Sequence, residues 1–221
     1  MTSISWANSE KRRLPWFRPR GITLIIGGSG SGKSVLGEMW SDTCRRHFMS
    51  KFNKQIPLSY IATLAVGDDP ESKARVRRHR AQRADYGFTT YEIPLLFDLS
   101  EEGVTTAFDQ VEGNGVVLLD CLGNLVANQM FAGEPIKWGS ESLDISPWSH
   151  DLSAALFRLA RSQLHTIIVS NHIFSDAISY DEATMRYRGV LGILHQQLAE
   201  VSDQVVEAVY GKGIFWKGGI I

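Results

Sequence analysis

A glycine-rich segment with one lysine separates two patterns of regular structure. The stretch ITLIIGGSGSGKSVLGEMW, residues 22–40, begins with aliphatic residues suited to a buried strand and resumes after Lys33 with helical spacing. Its middle fits G-x-x-x-x-G-K-[ST], a loop whose backbone N–H groups surround phosphate oxygens. We therefore predict a nucleotide-phosphate site formed by Gly27, Gly28, Ser29, Gly30, Ser31, Gly32, Lys33 and Ser34.

Two side chains of this loop have distinct expected roles. Lys33 would reach the β and γ phosphates of a nucleoside triphosphate, and the Ser34 hydroxyl would bind Mg²⁺. The N-terminus of the following helix adds partial positive charge. A glycine-rich turn with a chance lysine is the structural alternative, but the strand before the loop and the helix after it favour the phosphate site.

A second candidate for Mg²⁺ binding follows another apolar run. In GVVLLDCLGN, four aliphatic residues bring Asp120 to the end of a predicted strand, where an open parallel sheet borders its ligand crevice. A carboxylate there can anchor the metal of a P-loop enzyme. The alternative is a strand-terminal aspartate that caps the next turn.

A strongly basic segment is the third candidate functional site, in this case for binding an anion. PESKARVRRHRAQRADY, residues 70–86, predicts a helix over 70–84 capped by Asp69. Arg75, His79 and Arg83 recur at four-residue intervals and would share one face that could meet an anion. A solvated charged face is the alternative that the segment alone favours.

Strands and helices alternate around these sites. The patterns predict strands at 21–26, 58–62, 89–93, 116–119 and 166–170, and helices at 33–48 and 180–201. Two short strands are expected around Gly211 and Gly213, and residues 131–148 resemble a long loop. We predict an α/β, P-loop NTPase-like three-layer fold with a mostly parallel sheet and a C-terminal β-hairpin.

Composition limits the possible classes of protein. The 221 residues, 43% hydrophobic and 21% charged, suit one domain over 21–221 preceded by an arm over 1–20. A net charge of −1 gives no reason to expect nucleic acid as a partner. Cys44 and Cys121 show neither metal nor redox spacing, which favours the cytoplasm, and no apolar run predicts a membrane span.

The motifs together resemble one enzyme family. In order from Ile22, the chain is similar to the adenosylcobinamide kinase/adenosylcobinamide-phosphate guanylyltransferase family of cobalamin biosynthesis. The residues that carry this resemblance are GGSGSGKS at 27–34, YIAT at 60–63, DD at 68–69, RVRRHRAQR at 75–83, LLDCL at 118–122, VSN at 169–171, and the later RYR and QQLAEVSDQV. The P-loop alone is shared by many families, whereas the ordered set is far more specific.

The resemblance implies chemistry for the basic segment. His79 matches the family's nucleophile, which takes GMP from GTP, and Arg75, Arg78 and Arg83 could neutralise charge on the phosphoryl oxygens. It also implies kinase activity with ATP or GTP, a corrinoid substrate, and a homo-oligomer, possibly a trimer.

Some positions depart from the family pattern. His172 stands where an acidic residue is usual, Gly123 where threonine is usual, and His195 where asparagine is common. Asn124 and Leu125 occupy the region of a family tryptophan. We expect these changes to cluster around the nucleotide and acceptor crevice, which leaves two alternatives: another small-molecule kinase of the same fold, and a non-catalytic nucleotide-binding or regulatory relative.

Overall fold

A seven-stranded sheet organises the chain. The computed structural model describes residues 18–65, 83–96, 106–131, 146–176 and 178–218, with side chains excluded at 84 and 146–148. The strand order is β3-β2-β4-β5-β1-β6-β7. All neighbouring strands are parallel except the antiparallel pair β6 and β7. The predicted mostly parallel sheet and C-terminal hairpin are therefore confirmed.

The strands and helices have the following bounds. The strands are β1 (Gly21–Gly27), β2 (Leu58–Ala62), β3 (Thr89–Glu92), β4 (Val116–Asp120), β5 (His165–Asn171), β6 (Gln204–Val209) and β7 (Lys212–Lys217). The α-helices are α1 (Lys33–Phe52), α2 (Leu122–Phe131), α3 (Ser146–Ser162) and α4 (Glu182–Val201), with 3-10 helices at Ala84–Tyr86 and Ala107–Gln110.

Helices cover both faces of the sheet and form the three layers expected. On one face, Phe48 of α1 packs in a core with Leu118 and Val169. On the other face, α2, α3 and α4 contribute a second core around the alternate strand residues Leu119 and Ile168. Neighbouring residues of β4 and β5 thus point to opposite layers, and because both faces are buried these strands contain the unbroken apolar runs VVLL and IIV.

The prediction of a long loop over 131–148 is wrong at both ends. Phe131 is the last residue of α2, and Ser146 is the first residue of α3. Neither helix was predicted from the sequence. In the case of α2, the reason is that it contains Gly123 and two asparagines, which have low helix propensity. Burial of Leu122, Leu125 and Val126 in the core compensates for this weakness.

Several sequence predictions fall on residues outside the described ranges. They are residues 70–82 of the predicted basic helix, its Asp69 cap, residues 1–17 of the arm, and residues 132–145 of the predicted loop.

Candidate active site

Two glycines with left-handed backbone shape the loop between β1 and α1. Gly30 has φ of 70° and Gly32 has φ of 87°, a region that residues with a side chain rarely adopt. The turn between β6 and β7 lies directly behind the loop, since the Gly211 N–H donates to the Ser31 carbonyl at 2.8 Å. A Cβ at position 32 would lie 2.9 Å from the Gly211 Cα, so both the backbone angle and the available space require glycine here.

The lysine of the loop folds back over it. The Lys33 Nζ donates to the Gly28 carbonyl at 3.2 Å, which places the ammonium group across the loop rather than away from it. Ser34 follows in the first turn of α1 and is half-buried. The ammonium and the hydroxyl therefore lie at the end of α1 where its N–H groups are exposed, an arrangement suited to an anion.

Asp120 lies at the same edge of the sheet as the loop. Strand register pairs Gly27 with Asn171 and Asp120 with Val169, so β1, β5 and β4 end side by side. One strand separates the loop from Asp120, a spacing of about 10 Å between the backbones. A site at this edge is therefore wide enough for phosphate groups and a cation between the loop and the carboxylate.

The Asp120 carboxylate is held by a tyrosine. The Tyr60 hydroxyl donates to Asp120 Oδ2 at 2.7 Å, and the Thr63 N–H donates to the Asp120 carbonyl at 3.2 Å. Burial and the nearby Asp120 charge raise the pKa of Tyr60 well above its usual range. The phenol therefore keeps its proton and remains a hydrogen-bond donor at every physiological pH.

A buried glutamate that the sequence did not indicate interacts electrostatically with Asp120. Glu38 lies one helical turn after Ser34 on α1, and only 3% of it is exposed. Burial first, and then repulsion from Asp120, raise the pKa of Glu38 to about 7, while Arg83 opposes the shift. Its four-residue spacing from Ser34 is the one signal in the sequence that could have indicated it.

Among the arginines and the histidine of the basic segment, Arg83 is the one within the described residues. Its guanidinium Cζ lies 3.7 Å from the centre of the Tyr60 ring, and only 6% of the residue is exposed. The solvated-face alternative is therefore wrong for Arg83, which joins the group around Asp120. Arg75, Arg78 and His79 lie outside the described residues, so their expected place on the same face stays a prediction.

Two of the unusual positions lie at this edge of the sheet. The His172 N–H donates to the Gly27 carbonyl at 3.0 Å, which brings His172 against the phosphate loop. The Tyr187 hydroxyl donates to the Gly123 carbonyl at 3.3 Å, and a Cβ at position 123 would lie 3.1 Å from that hydroxyl. A threonine at position 123 would thus require the Tyr187 hydroxyl to shift by a few tenths of an ångström.

Of the other unusual positions, His195 and Asn124 are half-buried and Leu125 is buried. His195 Nε2 and Ser170 Oγ are hydrogen-bonded at 2.7 Å. Burial first, and then the charge of His172, lower the pKa of His195 to about 4, so its ring is neutral near pH 7. Leu125 is fully buried in the core. Leu125 therefore belongs to the core packing, whereas His195 stays half-buried and hydrogen-bonded to Ser170.

The donor set suits a hard cation. A hydroxyl from Ser34 and a carboxylate from Asp120 are oxygen ligands of the kind that Mg²⁺ prefers, and its other ligands are usually phosphate oxygens and waters. Within the described ranges no three histidine, cysteine, aspartate or glutamate side chains lie close enough to hold a metal ion. The hydroxyl and the carboxylate thus fit a cation whose other ligands come from nucleotide phosphates and water.

Comparison with known proteins decides the family. A family model described as "Cobinamide kinase / cobinamide phosphate guanyltransferase" matches residues 23–215. The chain belongs to this family. The match extends from β1 into β7 and confirms the resemblance inferred from the ordered motifs.

Two relatives in this family have low sequence identity to this chain, but the matches cover nearly all of their length. The "Bifunctional adenosylcobalamin biosynthesis protein CobP" of Pseudomonas aeruginosa is 29% identical over 195 residues, covering 88% of this chain and 96% of that protein. The "Bifunctional adenosylcobalamin biosynthesis protein CobU" of Escherichia coli K12 is 25% identical over 197 residues, covering 87% and 98%. Both relatives are thus similar to this chain over most of its length and over nearly all of their own.

None of the helices in the described ranges is both long and apolar enough to cross a bilayer.

Proposed function

We propose that this protein phosphorylates adenosylcobinamide and then transfers GMP to the product. The family match over residues 23–215 is the observation that carries the proposal. The phosphate loop and Asp120 at one edge of the sheet support it, because a kinase must hold a triphosphate and its metal together. Nucleotides are thus the substrates of the P-loop, and ATP or GTP is the proposed phosphate donor.

In the proposed kinase step, a hydroxyl oxygen of the corrinoid attacks the γ-phosphorus. The nucleoside diphosphate leaves with the bridging electron pair, and the hydroxyl proton passes to solvent. Lys33 would neutralise charge on the β and γ phosphates, while Ser34 and Asp120 would hold Mg²⁺, which supplies further charge neutralisation when bound. Glycine N–H groups of the loop would orient the phosphates.

The proposed guanylyl transfer uses His79. Its neutral imidazole attacks the α-phosphorus of GTP, and pyrophosphate leaves. A phosphate oxygen of adenosylcobinamide phosphate then attacks the phosphorus of the histidine-bound GMP, which releases the imidazole and forms a diphosphate bond. Arg75, Arg78 and Arg83 would stabilise charge on the phosphoryl oxygens. We further propose that the enzyme acts in the cytoplasm as a homo-oligomer, possibly a trimer.

Covalent labelling tests the second half of this proposal. GTP labelled at the α-phosphate should leave GMP on the protein through a bond that is acid-labile and alkali-stable, as a phosphoramidate is. His79→Ala should lose the label and still bind nucleotide, because the phosphate loop is unchanged. His47→Ala, which removes an exposed histidine of α1, is the matched control and should label as wild type does.

The outcomes separate the candidate functions. Label that persists in His79→Ala would reject His79 as the nucleophile. Phosphorylated corrinoid without any protein label would favour a kinase alone. The departures from the family pattern at His172 and Gly123, near the edge of the sheet, are the reason to test for this outcome. Nucleotide binding with neither product, measured by mass with adenosylcobinamide and each of ATP and GTP, would favour a non-catalytic relative.

A further inference from the structure

The Asp120 carboxylate has one well-defined side-chain partner. The Tyr60 hydroxyl donates to Oδ2 at 2.7 Å, and no donor among the described residues reaches the other oxygen, Oδ1. A carboxylate fixed through one oxygen presents the other in a definite direction. Since Asp120 lies at the end of β4, beside the strand that ends next to the phosphate loop, that direction matters for any cation bound there.

The Tyr60 ring is itself held on two sides. The Arg83 guanidinium lies over the ring at 3.7 Å from its centre, and the Phe88 ring meets it edge-on at a centroid distance of 5.7 Å. Tyr60 is 2% exposed and packs in the core beneath α1. The ring has little freedom to turn, so the hydroxyl stays aimed at Asp120.

We propose that Tyr60 is a positioning residue that orients Asp120 for the metal of the bound nucleotide, with Arg83 fixing the Tyr60 ring. The inference rests on the proposed metal site and adds the residues that make it rigid. Arg83 lies four residues after His79 in the same basic segment, so its contact with Tyr60 connects this segment to the metal carboxylate.

Tyr60→Phe isolates the hydroxyl, because the ring that Arg83 and Phe88 contact remains. Binding of Mn²⁺ to the complex with guanosine 5′-(β,γ-imido)triphosphate, followed by electron paramagnetic resonance, should weaken about tenfold. Affinity for the nucleotide in EDTA should not change. The apparent KM for Mg²⁺ in the kinase assay should rise while kcat at saturating Mg²⁺ approaches that of wild type, a split that a general loss of structure would not give.

Tyr91→Phe is the matched control. Tyr91 lies on the neighbouring strand β3, and its hydroxyl accepts a hydrogen bond from the Glu112 N–H at 3.3 Å. The proposed metal site does not include Tyr91. This variant should bind Mn²⁺ as wild type does. Should Tyr60→Phe fail to fold, 3-fluorotyrosine incorporated at position 60 gives the test: its fluorine resonance must shift when Mg²⁺ joins the nucleotide complex, and an unchanged resonance overturns the inference.

Asp120→Asn separates failure of this inference from failure of the metal site. If Asp120→Asn loses Mn²⁺ and Tyr60→Phe keeps wild-type affinity, the positioning role of Tyr60 is wrong and the metal site stands. If both variants keep wild-type Mn²⁺ affinity, the metal assignment is wrong and the positioning role falls with it. Weakened Mn²⁺ binding in both, with unchanged binding in Tyr91→Phe, supports the proposal.

Discussion

Replacing Glu38 by glutamine should make the protein more stable at alkaline pH. Glu38 is 3% exposed, and burial together with Asp120 raises its pKa from 4.5 to about 7. The folded state therefore binds the proton more tightly than the unfolded chain does. This contribution to stability is fully present below pH 4.5 and is lost as the pH rises through 7.

The size of the effect follows from the two pKa values. Each pH unit of difference corresponds to about 1.4 kcal/mol, so the interval from 4.5 to about 7 amounts to roughly 3 kcal/mol of lost stability at pH 8. At pH 5 the same linkage lowers the stability by less than about 1 kcal/mol. Glutamine has nearly the shape of the protonated acid and is neutral at both pH values, so it avoids this loss.

Urea denaturation at pH 5 and pH 8, in EDTA and without nucleotide, measures the difference. Glu38→Gln should exceed wild type in free energy of unfolding by roughly 2–3 kcal/mol more at pH 8 than at pH 5. Glu200→Gln changes an exposed carboxylate of α4 and should give no such pH-dependent gain. Parallel pH profiles for wild type and Glu38→Gln would refute the reasoning, because the buried carboxyl would then titrate like an exposed one.

Two other predictions concern nucleotide and metal. Lys33→Ala should weaken ATP and GTP binding at least tenfold, about 1.4 kcal/mol, because the ammonium group beside Gly28 is lost; calorimetry measures this, and Lys217→Ala, remote on β7, should bind as wild type does. Unchanged affinity in Lys33→Ala would remove the phosphate-loop assignment. Asp120→Asn should fold normally but lose most turnover, since the amide lacks the charge that holds Mg²⁺; wild-type turnover with the same Mg²⁺ dependence would leave Asp120 a structural cap.

The pattern of apolar residues was a reliable guide to the central strands and to α1. The apolar runs VVLL of β4 and IIV of β5 lie in strands that are buried on both faces, and such unbroken runs indicate a covered parallel strand. The helices α2 and α3 were not found in this way. LGNLVANQMF has weak intrinsic helix propensity, and its helical state depends on packing against β5 and α4, which no local pattern reports.

By itself, the sequence determined the parts of this protein whose chemistry is local. The loop from Gly27 to Ser34 is contiguous, so its glycines, Lys33 and Ser34 carry their spacing with them wherever the chain folds. The ordered motifs likewise determined the family, because residue order survives when overall identity falls to 25–29%.

Only the tertiary structure decided what surrounds Asp120. Tyr60 and Asp120 are 60 residues apart and meet because β2 and β4 are neighbours in the sheet. Glu38 arrives from α1 on the covering layer, and Arg83 from the end of the basic segment. A buried carboxyl shifts its pKa through burial and neighbouring charges, and both depend on which strands pair and which helix covers them. That arrangement is a property of the packed sheet rather than of any one stretch of the chain.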